Sequence, residues 1–340
     1  MQLPDYNFLS APLWLVTVLH LVTLTLHFIA MNFVVGGLIA VLWGKFSNRW
    51  DHPVVKKFIK LFPTALAATV TFGVAPLLFV QLVYHRQVYS ASIVSGWFWL
   101  LIIPAVIIGY YFLYGASFGK GSNSRKGTYL LLALVGFIYV SIVYSSVFSL
   151  AENPDQYASL YAGNQSGWLL NPNVGDWIVR WLHMITGAIT VGGFFVGWLG
   201  RNDDEAFKVG KNFYLWGMAT AAVFGFVYLF TLGDALLPLM RTPGIWALTL
   251  GIVLSIGSLH FFFKKKFLPA ALMLFVSLLT MVITRHYLRL IRLGDYFEPS
   301  SLRVAPQWSV FIVFLICFVI AIGAVWYMLR LFFKTDAGKS

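Results

Sequence analysis

Nine times along this chain the sequence runs apolar for close to twenty residues, the length a helix needs to cross the hydrocarbon of a bilayer. Each such continuous run is read as a membrane-spanning helix. The expected spans are about 12–43, 61–84, 94–114, 128–149, 175–199, 212–233, 243–262, 267–287 and 308–332. Composition agrees: 59% of residues are hydrophobic and 11% charged, where soluble domains carry roughly 25% charge. The expected fold class is an all-α integral membrane protein with a single membrane domain over 1–340, free of internal repeats. The opening MQLPDYNFLSAP has no basic stretch and no small-residue cleavage site, so no removable signal peptide is expected.

A net charge of +12 would suit nucleic acid, but its placement argues otherwise. With the N-terminus outside, most basic residues fall on the inner side, in the segments holding Lys45–Lys60, Lys120–Lys126, Arg201–Lys211, Lys264–Lys266 and Arg330–Lys339. Arg86, Arg180, Arg241, Arg285, Arg289, Arg292 and Arg303 remain outside. The positive-inside rule then sets the N-terminus outside and the C-terminus in the cytoplasm. The charge is a topology signal, and no nucleic-acid role is expected. The setting expected is a bacterial inner membrane, with lipid as the first partner.

The acidic residues fall in loops or at span ends, so the buried carboxylate relay of a proton pump or coupled transporter is missing. Cys317 is the lone cysteine, which excludes an internal disulfide, a cluster held by this chain's thiolates and covalent haem through C-x-x-C-H. The longest connection, Leu150–Gly175, is polar with acidic charges and reads as a landing surface, as does the mixed loop Leu288–Gln307.

The histidines carry the chemical signal. His183 sits in the apolar stretch Trp177–Phe194, one turn after Arg180 and beside Gly187, Ala188, Gly192 and Gly193. An ionisable group in that setting is a functional-site hypothesis by default. His20, His27, His85 and His286 join it, gathered toward the outer half of the bilayer. His52 is expected to be solvated and His260 structural. His20 and His27 are two helical turns apart, a rise of about 10.5 Å, which suits two metal centres better than one. Zinc wants three or four ligands around one point. Histidines spread over four helices, without cysteine or buried carboxylate, suit haem, for which histidine is a common axial ligand. Arg86, Arg180 and Arg285 lie beside three of the histidines, placed either to pair with haem propionates or to anchor span ends.

Several segments resemble subunit I of the cytochrome bd quinol oxidases. HFIAMNFVVGG (27–37), FGVAPLLFVQLVYHRQVYS (72–90), WIVRWLHMITGAITVGGFF (177–195) and the stretch 202–234 ending Leu-Gly-Asp are similar to that family's first, second, fifth and sixth spans, in order, over roughly 1–250. The resemblance implies that His27 ligates one haem, in the family's haem d position, and that His183 ligates a low-spin haem b near the quinol site. It also implies that His286, in TRHYLRLIR (284–292), takes the place of a glutamate that ligates a third.

The departures are specific. GWFWLLIIPAVIIGYY (96–111) has no acid where the family's third span has paired glutamates beside its oxygen-reducing haem. The Gly-Arg-Gln-Pro-Trp motif is missing, span 243–262 has no methionine, and the quinol loop is reduced to DALLPLMRTPG (234–244). His20 and His85 are additions able to complete axial pairs, and an iron with two axial protein ligands passes electrons rather than binding oxygen. The expectation is a b-type membrane cytochrome with two or three non-covalent haems. It would exchange electrons between quinol and an outer-face redox partner such as a c-type cytochrome, multihaem forms included. That would make it the membrane subunit of a quinol:cytochrome c-type oxidoreductase, leaving open a second membrane subunit or a homo-oligomer. Asp234 and Arg241 are the expected quinol-site residues, the alternative for Asp234 being a helix cap. The rival expectations are a bd-type quinol:oxygen oxidoreductase subunit and a haem-free transporter or structural subunit.

Overall fold

The computed structural model describes residues 8–43, 46, 49–119 and 123–337. Lys45, Lys120 and Lys339, counted above for orientation, lie outside the described residues, as does the segment 1–7. Among the described residues nine helices are long and apolar enough to cross a membrane. The chain is therefore a multi-pass membrane protein of all-α class.

In chain order the helices are α1 (Leu13–Trp43), α2 (Pro53–Val83), α3 (His85–Val94), α4 (Gly96–Leu100), α5 (Ile102–Phe118), α6 (Asn123–Leu150) and α7 (Tyr157–Gly163). They continue as α8 (Gly175–Leu199), α9 (Asp204–Phe230), α10 (Leu236–Met240), α11 (Pro243–Phe263), α12 (Phe267–Leu293) and α13 (Trp308–Ala337). Three boundaries differ from the sequence expectation for a common reason: charged residues flank the apolar runs, yet lysine and arginine are good helix formers. Helix α2 begins at Pro53 rather than near 61, with His52 accepting the Val54 N–H as its cap and proline pre-set for the first turn. Helix α9 begins at Asp204, where the Asp203 carboxylate caps the Ala206 N–H at 3.1 Å. Helix α12 continues past 287 to Leu293, which carries Arg289 and Arg292 onto the helix. The third expected span is divided, α4 and α5 meeting at Leu101.

The chain forms two compact units. One, Val18–Glu298, contains most of the spans. Within it α8 packs on α9, α11 on α12, α5 on α6 and α2 on α5. Small residues set the closest approaches. A Cβ on Gly36 would run into the Ala188 carbonyl, and one on Gly210 into the Gly197 backbone, so these helices touch along glycine faces as membrane helices do. The largest apolar core holds Phe33, Phe58 and Phe62, with Phe33 stacked on Phe58 at 5.1 Å and edge-on to Phe195 at 4.9 Å. A second joins Phe194, Tyr214 and Phe262, where the Tyr214 hydroxyl meets Ser258 Oγ at 2.6 Å.

The other unit comprises the chain up to Thr17 and from Pro299 onward. Phe8–Leu9 pairs in parallel with Arg303–Val304, and the Ala305 N–H extends the ladder to the Leu9 carbonyl at 2.8 Å. The membrane-length stretch of α13 is apolar on every face, as suits a helix in lipid.

Candidate functional site

Three of the five candidate histidines share one arrangement. His27 Nδ1 lies 2.9 Å from the Thr69 carbonyl oxygen, His20 Nδ1 lies 3.1 Å from that of Pro76, and His183 Nδ1 lies 2.8 Å from that of Ala221. A carbonyl oxygen accepts and cannot donate, so the proton in each pair sits on Nδ1. A neutral imidazole protonated there keeps its Nε2 lone pair, which is the form and orientation of a metal-ligating histidine held by a backbone carbonyl. The two contacts between α1 and α2 are in register: seven residues separate His20 from His27, and seven separate Thr69 from Pro76.

Glycine makes room for two of these rings. Gly73 lies flat against the His27 imidazole, where a Cβ would come within 2.6 Å of Nδ1. Gly225 does the same for His183, at 3.1 Å. The neighbouring backbone can approach each ring because these positions carry no side chain.

His286 stands on α12 one turn before Arg289, and the fold brings both near His20. His85 is half-buried at the first residue of α3, and Arg86, next to it, is exposed. Among the described residues no three His, Cys, Asp or Glu side chains converge as a metal-holding group.

Near the helix ends at Tyr84 lies a cluster that the sequence did not single out. Glu152 was expected on an acidic surface loop. It is instead buried, 4% exposed, and it pairs with Arg285 and with Arg292 and Arg289 at 3.4 and 3.6 Å, while Arg180 stands at 4.0 Å. Burial alone would push the Glu152 carboxyl up, but the guanidiniums of Arg285, Arg180, Arg292 and Arg289 outweigh it and hold the group at about 2. Arg180 also donates to the Ser145 carbonyl at 2.6 Å, and Arg285 to the Tyr228 hydroxyl at 3.4 Å. The loop's other acid, Asp155, is exposed and accepts the Tyr296 hydroxyl. The landing surface expected there therefore has one acidic side chain rather than two. The available signal was that arginine recurs at 285, 289 and 292, one helix face apart; reading those residues as a loop hid it.

His52, expected to be solvated, is also buried. Its Nδ1 caps α2, its Nε2 lies 3.2 Å from Asp203, and its ring packs 4.8 Å from that of Phe46. His260 is exposed in the last turn of α11. Asp234 is exposed in a tight turn, Gly233–Ala235, that follows α9 through Gly233 at φ +56°. Arg241 is exposed at the C-terminal cap of α10.

No protein-family model matches the sequence of this chain, and a search of curated proteins likewise gives no match.

Proposed function

We propose that this chain is a b-type membrane cytochrome, resembling subunit I of the cytochrome bd quinol oxidases, that exchanges electrons between a quinone pool and a redox protein on the outer face of a bacterial inner membrane. The observation that carries the reading is the shared geometry of His20, His27 and His183. Each is buried or half-buried in a membrane span, with Nδ1 engaged by a helix carbonyl and Nε2 left as a lone pair. The donor set fits non-covalent haem b, two or three per chain, with His27, His183 and His286 as the main ligands and His20 and His85 as partners. Haem supplies one-electron transfer between partners that never meet.

The chain's own residues divide the remaining work. The carbonyls of Thr69, Pro76 and Ala221 fix each imidazole's tautomer and plane. Arg180, Arg285 and, on α3, Arg86 supply guanidiniums suited to carboxylate groups. A quinol gives up two protons with its two electrons, and Asp234, open to solvent beyond α9, is a carboxylate able to accept one. Arg241 lies one short helix further on and would offer its guanidinium to the quinol oxygen. The electron acceptor is a c-type cytochrome, single or multihaem. Exposed apolar side chains such as Trp246, Val253 and Ile256 on α11 give the chain a lipid face along which to meet a second membrane subunit or a copy of itself.

The absence of any acid in Gly96–Tyr111 favours electron transfer over oxygen reduction. The test is a pyridine-haemochrome assay on the purified chain, followed by rapid mixing with a reduced quinol. Haem reduction without matching oxygen uptake supports the proposal, and a protein free of haem refutes it.

A further inference from the structure

The arginine cluster is out of balance. Four guanidiniums, those of Arg180, Arg285, Arg289 and Arg292, surround the one carboxylate of Glu152, leaving three positive charges in excess. Arginine does not deprotonate to relieve this. The side chains are largely withdrawn from solvent, with 8% of Arg180, 10% of Arg289, 15% of Arg292 and 21% of Arg285 exposed. Unpaired charge in such a place is costly, so buried charges are found compensated.

Two buried groups near Glu152 also make no hydrogen bond, although one of them, Arg180 Nη1, stands 4.0 Å from a Glu152 carboxylate oxygen. Arg180 Nη1 and the Tyr84 hydroxyl have no hydrogen-bond partner among the described residues. Arg289 lies over the Tyr84 ring at 5.5 Å, so the hydroxyl belongs to the same assembly. A narrow cleft of about 10 Å³, lined by Tyr84, Gln87, Glu152 and Arg289, opens beside Tyr84. Excess positive charge and buried donors that make no hydrogen bond together describe a site suited to a second anion.

We infer that this cluster binds an oxyanion, a carboxylate or a phosphate group, that accepts from Arg180 and offsets the charge Glu152 leaves uncompensated. Glu152 is then the resident counter-ion, holding Arg285, Arg289 and Arg292 in place for the incoming one. The ligand is a group carried on a membrane-embedded molecule, because the arginines stand at the ends of membrane helices. Two sources fit: the carboxylates of a bound macrocycle, which rests on the haem reading above, and the phosphate of an anionic phospholipid, which does not.

The experiment is native mass spectrometry of the full chain in nanodiscs, comparing wild type with Arg180→Gln and Arg180→Lys. Two probes separate the sources: haem against haem dimethyl ester, and phosphatidylglycerol against phosphatidylcholine. Loss of roughly tenfold in haem retention in Arg180→Gln, matched by poor loading of the ester into wild type, identifies the carboxylate. Retention of phosphatidylglycerol by wild type, lost in Arg180→Gln with haem unchanged, identifies the phosphate. Should Arg180→Gln fail to fold, the two probe comparisons on wild type decide alone. A wild-type chain that holds phosphatidylglycerol but no haem supports the oxyanion site and overturns the haem reading. Equal loading of haem and its ester, with no preference for phosphatidylglycerol, overturns the site.

Discussion

His183 donates its Nδ1–H to the carbonyl of Ala221 across the α8–α9 interface, at 2.8 Å. That hydrogen bond decides which nitrogen of the ring can bind a metal, and the same geometry recurs at His27 and His20. If the chain is the cytochrome proposed above, with two or three haems, His183→Ala is expected to remove one of them and His27→Ala another. A haem count per chain, by pyridine haemochrome against protein mass, checks this. Unchanged content in both variants would mean that these histidines serve packing alone.

The glycine beside His27 gives a subtler prediction. In Gly73→Ala the new methyl would lie within 2.6 Å of Nδ1 and 2.8 Å of Cε1, so the ring or the helix has to move. Overpacking of this kind costs about 1–3 kcal/mol. The visible spectrum or midpoint potential of the His27 haem should shift although no ligand has been removed. Gly187→Ala is the control, since nothing lies within 4 Å of a Cβ there, and it should leave both unchanged.

Glu152 makes the stability depend on acid. Its carboxyl ionises near 2 in the folded chain, below the ordinary value of 4.5. A depressed folded value means that the unfolded state binds the proton first. The contribution is complete above about pH 4.5 and is lost as the pH falls toward 2. Thermal melts between pH 6 and 2 should show this decline. Glu152→Gln should melt lower at pH 7, because removing one partner of a buried pair costs roughly 3–5 kcal/mol, and its profile should be flatter in acid.

The fold was legible in the sequence because lipid removes the usual ambiguity: a continuous apolar run of this length has one solution. Helix ends were less so. Lys56, Lys57 and Lys60 hid the first turns of α2, and Arg289 and Arg292 hid the last turns of α12, because polarity marks the edge of the membrane rather than the end of the helix. The histidines stood out as ionisable groups in apolar surroundings. The Glu152 cluster did not, since its members come from a loop, α8 and α12, and only folding brings them together. His52 was missed for a similar reason, its partner Asp203 lying 151 positions away in the chain.

That residue supplies a prediction at the opposite helix ends. His52→Ala removes the side-chain cap of α2 and the contact to Asp203, and should cost about 1 kcal/mol of stability. Haem content should be unaffected, because the change is remote from the candidate ligands. A denaturation midpoint equal to wild type would show that the cap contributes nothing.

The most direct test of the account is a redox-titrated visible spectrum of the purified chain, repeated on the reduced form under carbon monoxide. Axial histidine pairs and a third span without acids predict two or three b-type haems. Their reduced bands should be sharp and low-spin, and carbon monoxide should perturb them little. A spectrum without haem bands would contradict the cytochrome reading, and rapid stoichiometric carbon monoxide binding would contradict the loss of oxygen chemistry.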